Sequence, residues 1–185
     1  MTVVLARVDN RLIHGQVLEG WIPRINASVI VVADDSVAND SLRQAIMEIA
    51  VPSRIKCRFL HIQDLRNFMD MGSSDSERVI ILFSEIQYAR DAIEGGVALA
   101  CLNIGNVHYE HGKRRITPSV SLDEQEICWL DEIDRRIPVD IRATPDDSMK
   151  SLSELIENAN HAAGVTCPAP SRGWRGFWPF RIFRR

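Results

Sequence analysis

The sequence predicts an α/β fold: an open, mainly parallel twisted sheet with helices on both faces and room for one antiparallel edge strand. Three observations predict it. Short β-branched runs alternate with amphipathic stretches over residues 3–162, the pattern of strand–helix–strand units joined by right-handed crossovers. Several of the runs are apolar at nearly every position, as expected of strands buried on both faces. A chain of 185 residues that is 45% hydrophobic also suffices for one domain with its own core.

The elements follow in order. VVLARV (3–8) reads as the first strand and residues 16–24 as the helix after it. SVIVVA (28–33), IKCRFL (55–60) and RVIILF (78–83) are strands, each followed by an amphipathic stretch, at 40–50, 62–71 and 85–94. ALACLNI (98–104) is a fifth strand and PVDIRA (138–143) a sixth, with helices over 122–136 and 149–162. In 122–136, Ile127, Leu130, Ile133 and Ile137 recur at helical spacing and read as a core stripe, not a binding groove. GKRRITPSV is the candidate edge strand, because an edge tolerates the missing N–H of Pro118 and a central strand does not. Capping boxes are predicted at Ser84 with Gln87 and at Ser121 with Glu124.

Composition narrows the function. No apolar stretch approaches the roughly 20 residues needed to cross a bilayer, and MTVVLARVDN lacks the features of a secretory signal. A cytoplasmic location is expected. The four cysteines, Cys57, Cys101, Cys128 and Cys167, are scattered, which fits reduced thiols better than zinc or a disulfide framework. The net charge of −3 is uneven: residues 165–185 hold five arginines and no acid, so the remainder carries −8. An acidic body excludes general nucleic-acid binding. The composition shifts at Gly164, dividing the chain into a domain over 1–163 and a tail over 164–185. That tail holds five of the twelve aromatics in its last 12 residues, interleaved with arginine, a combination suited to a membrane surface or to docking on a partner or on the acidic body.

Sheets of this kind bind ligands at the carboxyl ends of their strands, and the first such loop is DNRLIHG, residues 9–15. It has the parts for holding a phosphoryl group. Neutral imidazole is a competent nucleophile, which His14 supplies. Arg11, three residues earlier, offers a planar fork for phosphate oxygens. A helix opening near Gln16 would aim unpaired N–H groups at the loop, and Gly15 removes a side chain where backbone must approach an anion. Asp9 could accept a hydrogen bond from the ring or from Arg11, the arginine being favoured. Ser84, after the fourth strand, could donate to phosphate at the same sheet edge, although capping already explains it.

Other readings fare worse. Asp34 and Asp35 close the second strand as in receiver domains, but the third strand lacks the phosphoacceptor aspartate and the fifth the lysine, so they are read as cleft rim or as a cap for the next turn. One glycine in DNRLIHG is too few for a dinucleotide turn. His108 and His111 have no third ligand nearby in sequence.

RVDNRLIHGQV (7–17) resembles the signature of the mannose/fructose/sorbose-type IIB subunits of the bacterial phosphoenolpyruvate-dependent sugar phosphotransferase system. The resemblance continues through VVADDSVANDSLRQ and LNIGNVHYEHGKRRITPSVSL to IRATPDD, covering roughly residues 1–160. It implies an α/β fold with a mostly parallel sheet. It also implies that His14 accepts phosphate from a phosphohistidine on a IIA partner and passes it to sugar carried by membrane IIC/IID components, with Arg11 holding the phosphoryl group. Asn10 stands where many relatives have a second acid, a change that slightly favours an incoming anion. Such exchange between phosphohistidines needs no metal, nucleotide or other cofactor. A homodimer is compatible with the resemblance. A regulatory protein whose His14 phosphorylation controls partner binding, without sugar transport, would carry the same loop.

Overall fold

The computed structural model describes residues 1–71, 76–152 and 154. The tail from 164, and most of the helix expected over 149–162, lie outside them. Among the described residues there are eight strands: β1 (Thr2–Asp9), β2 (Val29–Ala33), β3 (Lys56–Leu60), β4 (Arg78–Phe83), β5 (Leu102–Asn106), β6 (Arg114–Arg115), β7 (Ser121–Leu122) and β8 (Val139–Ile141). Six form one sheet in the order β3-β2-β4-β1-β5-β8, and every neighbouring pair is parallel.

The α-helices among the described residues are α1 (Ile22–Ile25), α2 (Asp35–Ala38), α3 (Ser41–Ile49), α4 (Ile62–Asp70), α5 (Ile86–Glu94) and α6 (Glu124–Asp134). Side chains on the sheet alternate with period two. Val29, Val31 and Ala33 join Val79, Ile81 and Phe83 against Leu65 of α4, Ile86 and Ala89 of α5, and Ile127, Leu130 and Ile133 of α6. Their neighbours Ile30, Val32, Ile80 and Leu82 face the other way, against Val17, Trp21, Ile22 and Val37. Both faces are covered, which is why the strand sequences are apolar throughout. Each fully buried valine, leucine or isoleucine contributes about 1.5–3 kcal/mol.

Four expectations are corrected. The segment GKRRITPSV is not an antiparallel edge strand of the main sheet: β6 and β7 form a separate antiparallel pair, Arg114 opposite Leu122 and Arg115 opposite Ser121, and Val120 makes an isolated parallel bridge to Val107 just after β5. Pro118 lies in the turn between β6 and β7, where Val120 N–H donates to the Thr117 carbonyl and Oγ1. Ser84 does not cap α5; Glu85 is the N-cap, without a side-chain hydrogen bond. Ser121 does not cap α6 either, because it is a buried strand residue. The capping box there joins Asp123 to Glu126, two residues further on. The stretch 16–24 is not one α-helix but a π-helical turn, Gln16–Trp21, leading into α1. Pro23, whose ring would collide with the carbonyl four residues back in a regular helix, lies two residues past that widened turn, in the first turn of α1. The helix expected over 40–50 is preceded by α2, capped by Asp34, whose carboxylate accepts Val37 N–H.

Candidate functional site

β1 and β5 are neighbours whose following connections leave toward opposite faces of the sheet. After β1 the chain passes through Val17 and Trp21 into one core, and after β5 through Val120, Leu122 and Ile127 into the other. A cleft therefore opens at the carboxyl ends of these strands, where open α/β sheets take their ligands. Residues 9–16 fill it.

Asp9 ends β1 and is fully buried. Its Oδ1 accepts the backbone N–H of Arg11 at 3.1 Å and Arg11 Nε–H at 3.0 Å, and its Oδ2 accepts Arg11 Nη2–H at 3.1 Å. The pair is bidentate, the strongest geometry for guanidinium and carboxylate. Arg11 Nη2 also donates to Gln16 Oε1 at 2.9 Å. Arg11 is thus clamped on two sides while its side chain stays 35% exposed, and among the described residues Nη1 has no partner.

The loop reaches His14 through a tight turn. Leu12 N–H donates to the Asp9 carbonyl at 2.9 Å, and Leu12 itself is left-handed at φ 54° with its side chain buried. For a non-glycine residue this conformation costs about 1–3 kcal/mol. It aims the Leu12 carbonyl at His14, whose Nδ1 lies 2.9 Å from it and donates. Nε2 is buried without a hydrogen-bond partner and lies 3.7 Å from Asp9 Oδ2. The ring is 17% exposed, neither entombed nor freely presented. His14 carries its own carbonyl into the π-helical turn, accepting Val17 and Leu18 N–H at 3.0 Å.

Beneath the loop lies the arginine that opens RVDNRLIHGQV, a position to which the sequence alone assigns no role. Arg7 is 0% exposed. Its Nη2 donates to Asp9 Oδ2 at 2.8 Å and to the Ala143 carbonyl at 2.9 Å, and its Nη1 donates to Asn103 Oδ1 and to the Arg142 carbonyl. Its guanidinium stands 5.3 Å from the centre of the Trp21 ring, and that of Arg142 stands 5.1 Å from it. Gly105 makes room: a β-carbon there would come within 1.9 Å of the Arg7 guanidinium. The register agrees, because Val8 pairs with Ile104 and Asp9 with Asn106, leaving Gly105 as the extra residue of a bulge. The signals were present as a lone arginine in an otherwise apolar strand and a glycine inside another.

Burial lowers the Arg7 pKa from its ordinary value, with Asp9 opposing. For Asp9, burial pushes the carboxyl up, but the Arg11 hydrogen bond and the charges of Arg7, His14 and Arg11 outweigh it and hold it below the ordinary aspartate range.

Asn10 ties the loop to its surroundings. Its Nδ2 donates to the Ser84 carbonyl at 2.7 Å and its Oδ1 accepts His108 N–H. Ser84 therefore meets the loop through its backbone, while its hydroxyl donates to Asp34 Oδ2. Gly15 has φ −51°, and a β-carbon placed on it would meet nothing within 4 Å. With Gln16 it borders a groove of about 640 Å³, whose far wall is Thr144, Pro145 and Asp146. Arg11 and His14 do not line this groove; Arg11 reaches its edge through the hydrogen bond to Gln16.

Residues 3–165 match the family model of the PTS system sorbose subfamily IIB component. The sorbose-specific EIIB component of Klebsiella pneumoniae is 33% identical over 161 residues, covering 86% of this chain and 98% of that protein. The N-acetylgalactosamine-specific phosphotransferase enzyme IIB component 1 of Escherichia coli (strain K12) is 33% identical over 154 residues, covering 82% and 97%. The mannose-specific EIIAB component of the same strain is 30% identical over 157 residues, and this chain spans 49% of it. Among solved structures, the IIBSor domain of the sorbose permease from Klebsiella pneumoniae superimposes with a TM-score of 0.80 at 31% identity, over 85% of this chain and 98% of that one.

Proposed function

Since this chain belongs to the sorbose-subfamily IIB components of the phosphotransferase system, we propose that it is a cytoplasmic phosphocarrier with His14 as the phosphoryl acceptor. The observation that carries the reading is a half-buried imidazole beside a clamped, partly exposed Arg11 at the carboxyl end of β1. The donor is a phosphohistidine of a IIA partner, a pairing that the EIIAB name of the mannose relative supports. The acceptor is a sugar hydroxyl presented by membrane IIC/IID components.

Charge and positioning are what such a transfer asks of a protein. The lone pair of a His14 ring nitrogen forms a bond to phosphorus as the donor's P–N bond breaks, and the donor nitrogen keeps that electron pair and takes up a proton. In the second half a sugar oxygen bonds to phosphorus, the His14 P–N bond breaks, and the hydroxyl proton leaves to solvent or base. Nδ1 donates to the Leu12 carbonyl here and Nε2 is covered, so the ring turns outward to meet its partner. Arg11 Nη1 and the amides that open the helix at Gly15 and Gln16 then neutralise the phosphoryl oxygens.

The test is transfer of labelled phosphate from a phosphorylated IIA donor to the wild type and to His14→Ala. Acid-labile, base-stable label is expected on the wild type alone. Full labelling of His14→Ala would end the proposal.

A further inference from the structure

Two guanidinium groups and one carboxylate meet under the phosphorylation loop. Arg11 grips Asp9 from the rim and Arg7 from below, both on Oδ2. The three together carry one net positive charge. That arithmetic places a demand on Arg7. Asp9 lies 3.7 Å from the ring to be phosphorylated, where an unbalanced carboxylate would repel the incoming group. Were Arg11 its sole partner, the two would form a neutral pair, and no cation would remain for the phosphoryl oxygens. Arg7 is buried where no phosphate can reach it, so its charge serves buried carboxylates: Asp9 by direct ion pair and, more weakly, Asp140.

The surroundings specify an arginine. The fork spans Asp9, Asn103 and the carbonyls of residues 142 and 143 at once, which a lysine ammonium cannot do. Those contacts come from β5 and from the segment after β8, so the carboxylate is fixed to the frame of the sheet and not merely to its own loop. Resting on the reading of His14 as acceptor, we propose that Arg7 is a positioning residue for phosphoryl transfer. It balances and immobilises Asp9, leaving the charge of Arg11 for the phosphoryl group.

The experiment measures His14 phosphorylation against donor concentration for wild type, Arg7→Gln, Arg7→Lys, Asp9→Asn and the Arg7→Gln/Asp9→Asn double variant, with thermal unfolding to verify folding. Arg7→Gln is expected to lower kcat about 100-fold, as misplacement of a reacting group by about 1 Å can, with KM for the donor little changed. Arg7→Lys recovers part of that loss. In the double variant the neutral amide needs no balancing cation, so glutamine at position 7 adds no more than about a 3-fold loss to that of Asp9→Asn. Full kcat in folded Arg7→Gln, a lysine no faster than the glutamine, or losses that simply multiply in the double variant would each overturn the proposal. If Arg7→Gln does not fold, Gly105→Ala, whose β-carbon displaces the same guanidinium, is paired with Asp9→Asn and read the same way. Labelling that survives in His14→Ala strikes the acceptor assignment, whereas His14-dependent labelling at undiminished kcat in Arg7→Gln strikes this inference alone.

Discussion

Asp9 Oδ2 stands 3.7 Å from His14 Nε2, too far for a hydrogen bond and close enough to feel the ring's charge. The same oxygen accepts from two arginines. A buried anion beside the ring proposed to accept phosphate is tolerable because two arginines balance it, and that arrangement governs how the protein should respond to acid and to substitution.

Asp9 makes stability depend on pH. Its folded-state pKa lies below the ordinary value because the arginines outweigh burial. The unfolded chain then takes up its proton first, near pH 4. The stabilisation is complete above that point and is lost as pH falls through the folded value. Urea midpoints from pH 7 down to 3 should therefore fall more steeply for wild type than for Asp9→Asn. Parallel curves would contradict it.

Asn10→Asp keeps an acceptor for His108 N–H but loses the donor to the Ser84 carbonyl and places a charge on the rim. Phosphorylation of His14 should slow by less than about 10-fold, and the deficit should shrink toward 1 M salt, where the screening length is about 3 Å. A deficit indifferent to salt would point to a displaced loop instead.

Gly15→Ala adds a methyl group into open space at an ordinary negative φ. Its unfolding midpoint should match wild type or rise, by up to about 1 kcal/mol. Phosphorylation should slow, because the methyl stands where the phosphoryl group nears the backbone. Unchanged transfer would remove Gly15 from the site.

The helix caps separate by stability. Asp123→Ala removes a carboxylate that accepts Glu126 N–H at 2.8 Å, so denaturant unfolding should register a loss of about 0.5–2 kcal/mol. Ser84→Ala withdraws a donor from buried Asp34 and should cost about 1–3 kcal/mol, with no loss of α5 helicity, since Glu85 holds that N-cap.

The strands were legible because burial on both faces leaves a strand no choice but apolar residues: Ile80, Ile81, Leu82 and Phe83 are all fully buried. The loop was legible because Arg11, His14 and Gly15 lie within five residues. The caps misled because a serine three residues before an acid or amide is a common pattern, and the competing acceptor of Ser84, Asp34, lies 50 residues away in sequence. Arg7 stayed unread for the same reason. Its hydrogen-bond partners at Asn103, Arg142 and Ala143 lie 96, 135 and 136 residues downstream, and no local pattern announces them. The left-handed turn at Leu12 went unnoticed because a leucine gives no sign of it.

The strand order also bears on how the protein is made. β1 does not pair with β2, the next strand in sequence; it pairs with β4, which ends at Phe83, and with β5, which ends at Asn106. On a ribosome adding about 5–20 residues each second, the strand that leads into the Arg11–His14 loop waits about 4–15 s for its first neighbour. During synthesis it is an unpaired apolar ribbon, and its chemistry comes into being only when more than half of the polypeptide has emerged.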